Sequence, residues 1–184
     1  QIRGFGEYGF PESHAASFAL IAYSTAWLRC HYPDVFTCSL LNAQPMGFYT
    51  PATIVEDTRR HGVDVRPIDV MVSQWDCTLE RHPVEGREET ARPFAVRIGL
   101  RYVKSLSEER DWKRIEAARE AQPFTSLEDF TRRTGLDDRI VRRLAEAGAF
   151  ATFEGERRTA LWNAQGLKTV TDIALPMSPR EPVP

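Results

Sequence analysis

Ser13 and His14 stand side by side in Pro11-Glu12-Ser13-His14, where a Gly/aromatic loop (Phe5-Gly6-Glu7-Tyr8-Gly9-Phe10) gives way to a long apolar run. A hydroxyl and an imidazole at that place are the parts of an anion site. The first N–H groups of a helix have no intrahelical partner, and the helix dipole is positive at that end. A phosphate is a natural occupant of such a position. A plainer assignment uses the same residues, with Ser13 as the helix cap and His14 as a surface side chain. A second polar set lies further along, in Lys104-Ser105-Leu106-Ser107 and Thr134-Gly135-Leu136, with Arg139, Arg142 and Arg143 just beyond. Each is a short break between two apolar-periodic segments. Backbone N–H groups in such a break, flanked by cations, can hold a phosphate without reading a base. Between Arg97 and Arg143 there are twelve Lys/Arg and nine Asp/Glu, a local +3 in a chain of net charge -2. That excess fits a modest, salt-sensitive contact with a nucleic-acid backbone. A plain helical packing module with solvated charges fits the same pattern.

Other chemistries find no support in the residue types. There is no Asp-x-Asp pair, no Gly-x-x-x-x-Gly-Lys phosphate loop and no nucleophile triad spacing. Asp64 and Asp69 flank a strand end, separated by Pro67, and read as ordinary surface carboxylates. Cys30, Cys38 and Cys77 form an odd set without a Cys-x-x-Cys pair, which argues against zinc at Cys30, His31 and Cys38 and for reduced, cytosolic thiols. No apolar run of 18 residues and no signal peptide occur, so neither membrane insertion nor secretion is expected. With 42% hydrophobic residues over 184 positions, a packed core is expected, in one or two small domains.

The elements that must position these residues are mostly helices. Ala15, Phe18, Ala19, Ala22 and Ala26 recur at helical spacing, and Leu20, Tyr23 and Trp27 make a second apolar line, so a helix buried on several sides is expected up to Pro33. Asp34 is positioned to cap a short helix through Leu41. Thr50-Pro51 starts another, with Ile54 and Val55 apolar, ended by Gly62. Val63 and Val65 alternate with Asp64 and Arg66 as a strand stopped by Pro67. A second strand is expected within Val70–Glu80. Phe94–Leu100 is a third, able to pair with Cys77-Thr78-Leu79 across an exposed loop, His82–Arg92. From Leu100 the pattern becomes short helices. Leu100–Lys104 is a turn. Glu108–Ala121 is a helix with Trp112, Ile115 and Ala118 on one side. Ser126 caps Leu127–Arg133, and Asp137 or Asp138 opens a helix through Ala147 with Ile140, Val141 and Leu144 inward. Arg157–Gln165 is a last helix, and Met177–Pro184 reads as a linker.

Tyr8-Gly9-Phe10-Pro11-Glu12-Ser13-His14-Ala15-Ala16-Ser17-Phe18-Ala19-Leu20 and Ala26-Trp27-Leu28-Arg29-Cys30-His31-Tyr32-Pro33 resemble the fingers domain of bacterial C-family DNA polymerases, the polymerase III α-subunit family. Leu41-Asn42-Ala43-Gln44-Pro45-Met46-Gly47-Phe48-Tyr49, Arg59-Arg60-His61-Gly62-Val63-Asp64-Val65-Arg66-Pro67 and Asp76-Cys77-Thr78-Leu79-Glu80 resemble its error-prone branch. The helix, break, helix pattern repeated at about 30 residues is similar to a tandem helix-hairpin-helix module, a DNA binder without sequence preference. Of that family's Gly-x-Gly hairpin, Lys104–Ser107 keeps neither glycine, and Thr134-Gly135-Leu136 keeps one.

The resemblance implies a mainly α fold with a small β component. Residues 1–72 would be distal fingers, 73–99 a β-hairpin connection, 100–168 the tandem helix-hairpin-helix module and 169–184 a Pro-rich linker. It implies a fragment of an error-prone DNA-directed DNA polymerase working in DNA repair and translesion synthesis in the cytoplasm. Ser13 and His14 would lie near the phosphates of the incoming dNTP. Lys104, Ser105, Ser107, Thr134, Gly135, Arg139, Arg142 and Arg143 would face DNA. Mg²⁺ would sit on palm carboxylates preceding Gln1, so the fragment alone would not extend a primer. Primer-template DNA, dNTP, and through other parts a sliding clamp and damage-response accessory proteins would be the partners. A stand-alone DNA-binding repair module and a structural protein-interaction adaptor are the rival assignments.

Overall fold

The computed structural model describes residues 12–82 and 93–154. The Gly/aromatic loop before Glu12, most of the loop after His82, the helix expected at 157–165 and the Pro-rich end lie outside the described residues. Seven α-helices and three short strands are described: α1 (Glu12–His31), α2 (Pro33–Asn42), α3 (Pro51–Arg60), β1 (Val65–Arg66), β2 (Thr78–Arg81), β3 (Phe94–Arg97), α4 (Lys113–Ala121), α5 (Leu127–Thr134), α6 (Asp138–Glu146) and α7 (Ala151–Glu154). The fold is mainly helical with one small sheet, as the sequence pattern and the resemblance both predict. The chain divides into two compact units, one of residues up to Val65 with Leu79–Val96, the other of Arg66–Thr78 with the residues from Arg97 on.

In the first unit, α1 ends where Pro33 removes a donor and takes the first position of α2. Asp34 does not cap that helix. It is the second helical residue and is buried, with one carboxylate oxygen accepting from the Val35 N–H at 2.9 Å. Proline, whose ring presets the helical φ, has taken the starting position instead. Thr50 caps α3 as expected, accepting from the Thr53 N–H at 3.2 Å. Thr37 of α2 and Thr58 of α3 share a buried hydrogen bond at 2.9 Å. Leu41, Cys38 and Ile54 are buried.

The expectation of a buried α1 does not hold in this chain. Every described side chain of α1 from His14 to His31 is exposed, with Phe18 at 57%, Tyr23 at 70% and Trp27 at 44%. Near its end Arg29 pairs with Asp57 at 2.6 Å, and within the helix the Trp27 ring lies 4.6 Å from that of His31. An apolar circumference indicates burial only where protein is present to cover it, and α2 and α3 are half its length.

The strands form one sheet in the order β1-β3-β2. The β2–β3 hairpin predicted from Cys77–Leu79 and Phe94–Leu100 is present. It is antiparallel, with the His82 N–H donating to the Pro93 carbonyl across its end. Against β1, Val96 donates to Asp64 O at 2.9 Å and Ile98 to Arg66 O at 3.1 Å, so these partners advance together and the pairing is parallel. At Gly99 the backbone approaches so closely that a Cβ would stand 2.3 Å from the Trp75 carbonyl oxygen. Only glycine fits there.

In the second unit the core joins Leu100, Val103, Leu106, Trp112, Ile115, Phe124, Phe130, Leu144 and Phe150. Ile68 and Val70 enter the same core from the segment between β1 and β2, and the Val70 N–H donates to Ala149 O at 2.9 Å. The helix predicted over Glu108–Ala121 is present, but it opens with one wider turn. Asp111 and Trp112 both donate to Ser107 O at 2.9 Å, and regular α-geometry starts at Lys113. Ser126 caps α5 through the Asp129 N–H at 3.1 Å, and Asp137 caps α6 through the Arg139 N–H at 2.9 Å.

Candidate nucleic-acid interface

Two breaks between helices carry the site, and they are built alike. In the first, a short 3₁₀ turn (Leu100–Tyr102) leads to Ser105, which holds φ +66°. Buried Leu106 follows, and then Ser107, whose carbonyl accepts the first bonds of the next helix. In the second, α5 ends at Thr134 and Gly135 holds φ +57°. Buried Leu136 follows, and then Asp137, whose carbonyl accepts from Ile140 and Val141 at 2.8 and 3.0 Å. Ser105, Leu106 and Ser107 thus correspond to Gly135, Leu136 and Asp137 at an offset of 30 residues. The left-handed turn lets the chain reverse, and the buried leucine pins the reversal to the core.

Ser105 performs a turn that glycine performs without a Cβ penalty. The left-handed conformation costs an L-residue about 1–2 kcal/mol, of which glycine's extra unfolded freedom returns about 0.5–1. Ser105→Gly is therefore expected to stabilise the unit by about 0.5–1 kcal/mol, read as a higher urea midpoint at unchanged slope.

Between the two breaks lies an open cleft of about 570 Å³. Ser105 and Gly135 line it from the two hairpins, together with Arg110, Asp111, Arg114, Asp137, Arg139 and Ile140. Arg114 donates to the Gly135 carbonyl at 3.2 Å and so links the helix after the first hairpin to the second. Asp111 is buried. Its carboxylate accepts from Arg110 Nε at 2.9 Å and from the Ser107 N–H at 3.0 Å. The Arg110 guanidinium beside it holds this carboxyl below the usual carboxylate range.

The structure brings together some of the expected DNA-facing residues and separates others. Ser105, Gly135 and Arg139 line the cleft. Lys104 is exposed but does not line it. The Ser107 N–H is bonded within the protein. The Thr134 side chain is buried, and its hydroxyl donates to Phe130 O at 2.8 Å, so it serves α5 rather than the cleft. Arg142 is exposed, with Nε donating to Asp138 O at 3.4 Å on its own helix. Arg143 pairs with Glu146 at 2.7 Å. Arg110 and Arg114 also line the cleft and were not picked out from sequence. Arg110 lies in the wide turn Glu108–Trp112 and Arg114 on the regular helix that follows, so helical spacing alone does not pair them.

Part of the local positive excess has a structural use. Arg119 lies over the Trp112 ring at 5.1 Å and donates to Ser73 O at 2.8 Å, and burial pushes its guanidinium down. Arg133 lies over Phe124 at 4.8 Å, donates to Gln122 O at 2.7 Å and pairs with Asp129 at 3.1 Å. Both cations clamp loops to helices.

At the other candidate position, α1 is described from Glu12 on, and Ser13 and His14 are helical residues within it. Ser13 is inside the helix rather than at its cap. His14 is exposed, and its ring lies 4.5 Å from that of Phe18 one turn on.

Residues 62–160 match the family described as helix-hairpin-helix motif. The chain belongs to the helix-hairpin-helix motif family. It is also similar to three proteins named for the activity that the resemblance implies. These are the error-prone DNA polymerase of Pseudomonas syringae pv. tomato (51% identical over 91% of this chain), that of Azoarcus sp. (51% over 94%) and error-prone DNA polymerase 2 of Agrobacterium fabrum (53% over 96%). The chain spans about 16% of the length of each. The likeness to the error-prone branch, read from Leu41–Tyr49 and Arg59–Pro67, is borne out by these relatives. Both helix-hairpin-helix units expected from the spacing fall within the matched residues.

Proposed function

We propose that this chain is a segment of an error-prone DNA polymerase and that its helix-hairpin-helix cleft holds the backbone of duplex DNA without reading sequence. The observation that carries this is the convergence of two left-handed hairpins on one cleft that Arg114 and Arg139 also line, with Arg110 beside them paired to Asp111. Exposed N–H groups and guanidinium forks bind phosphate by charge and geometry alone. In the parent enzyme this would keep duplex DNA behind the active site while nucleotides are added to a primer end. Residues 1–72 are assigned to the distal fingers, 73–99 to the connection, 100–168 to the module and 169–184 to a linker.

The fingers would approach the incoming dNTP with Ser13 and His14 on the first turn of α1. The exposed apolar surface of α1 supports covering by further parts of the same enzyme. Mg²⁺ in the parent would be held elsewhere. Among the described residues no group of three or more His, Cys, Asp or Glu side chains could hold a metal. No helix among the described residues is long and apolar enough to cross a membrane, and action on DNA fits a cytoplasmic enzyme. Clamp and accessory contacts are assigned to other parts of the parent.

Binding of the 184-residue chain to two duplexes of unrelated sequence tests the proposal. The expected affinities agree within about twofold and fall steeply between 50 and 200 mM salt. A strong preference between the duplexes, or no binding at low salt, would overturn it.

A further inference from the structure

The two hairpins are built alike but do not present the same donors. In the second, the N–H groups of Leu136 and Asp137 have no hydrogen-bond partner among the described residues. In the first, the Leu106 N–H goes back to Val103 O at 3.2 Å and the Ser107 N–H goes to Asp111 Oδ2 at 3.0 Å. Asp111 also takes Arg110 in a two-point fork, Nε at 2.9 Å and the terminal nitrogen at 3.2 Å. A carboxylate held by one hairpin N–H and one guanidinium fork receives the contacts that a DNA phosphate would receive at this place. It is 3% exposed, so it is packed in rather than drifting near.

We infer that Asp111 is a built-in substitute for phosphate, which closes the first hairpin, neutralises Arg110 and leaves the second hairpin as the phosphate seat of the pair. The inference rests on the proposed DNA-binding role of the cleft and adds which half of it does the holding. Charge follows the same logic. The lining residues carry Arg110, Arg114 and Arg139 against Asp111 and Asp137, a net of +1. Removing the Asp111 charge raises this to +2 and frees a guanidinium whose side chain is already 66% exposed. The grip on DNA would then be lopsided by construction, firm on the strand at Gly135–Asp137 and loose on the other.

Asp111→Asn keeps the shape and an oxygen for the Ser107 N–H while removing the charge. Duplex DNA binding by the 184-residue chain is expected to tighten, with a log affinity against log salt slope steeper by about 0.9, the value for one more neutralised phosphate. Between 200 and 50 mM salt the variant then gains about threefold more affinity than the unmodified chain. The double variant Arg110→Ala/Asp111→Asn removes a neutral pair and is expected to return the unmodified slope. A slope unchanged in Asp111→Asn together with weaker binding in the double variant would show that Arg110 already holds DNA, and overturns the inference.

A measurement on the unmodified chain removes dependence on how the variants fold. On titration with a short duplex, the amide resonances of Leu136 and Asp137 are expected to shift and that of Ser107 to stay. Equal shifts at Ser107 overturn the inference while leaving the DNA-binding role intact. Absence of shifts at all three amides would instead count against that role.

Discussion

Phe130→Ala is expected to lower the stability of the helix-hairpin-helix unit by about 3–5 kcal/mol, the range for deleting a large buried aromatic ring. Phe130 is fully buried, with ring centroids 4.9 Å from Phe124 and 5.1 Å from Phe150, both edge-on at 70°. Its ring is the centre of a three-ring stack that joins the loop before α5, α5 itself and the segment before α7. Edge-to-face pairs contribute about 0.5–1.5 kcal/mol beyond area, and two are lost together. Small domains hold about 5–15 kcal/mol in all, so the variant should unfold at a much lower denaturant concentration and lose DNA binding with its hairpins. Chemical denaturation followed by tryptophan fluorescence, to which buried Trp112 contributes as one of the chain's four tryptophans, checks this. A loss below about 1 kcal/mol would mean that the stack is not central to the core.

The largest functional effect is expected at His14. In the proposed parent enzyme, His14→Ala should lower kcat/KM for dNTP by about ten- to a hundredfold, the loss of one charge-assisted hydrogen bond of roughly 1.5–3 kcal/mol. Primer-template affinity should hardly change, since the cleft is assigned that contact. His14 is exposed and its ring touches Phe18 of the same helix, so the substitution removes little packing and the fold should persist. Steady-state kinetics with varied dNTP checks the prediction. Unchanged dNTP kinetics would make His14 a surface residue and remove the fingers assignment of this turn.

Local signals in the sequence were enough for much of the architecture. Thr50, Ser126 and Asp137 cap the helices that their types and positions predict, because a cap depends on a hydroxyl or carboxylate and the N–H groups two or three residues on. Gly135 was readable as the second hairpin for the same reason, since the left-handed turn is local. The first hairpin was readable at Lys104–Ser107 as well, but not the left-handed turn at Ser105, because serine in that conformation is held by its surroundings rather than chosen by propensity. The parallel β1–β3 pairing and the entry of Ile68 and Val70 into the helical core join residues about 30 to 80 positions apart, and no periodicity encodes those. Burial of α1 was misjudged because apolar spacing marks what a helix prefers to cover, not whether the covering protein is in the same stretch of chain.

The site itself was half legible. Charge counting pointed to the stretch that holds the cleft but could not separate Arg139, which lines it, from Arg119 and Arg133, which clamp loops. Arg110 and Arg114 emerge only when the helix after the first hairpin is folded against the second. Asp111 would be counted in any sequence window as one more anion, whereas its bonds to Arg110 and Ser107 make it part of the hairpin.

The salt dependence of duplex binding by the 184-residue chain, compared between the unmodified protein and Arg139→Gln, is the most direct test of the account. Arg139 lines the cleft and its side chain is exposed, so neutralising it should cost one phosphate contact. The account predicts a log–log slope shallower by about 0.9, with the urea midpoint unchanged. An unchanged slope in a variant that folds normally would place DNA away from this cleft and contradict the central claim.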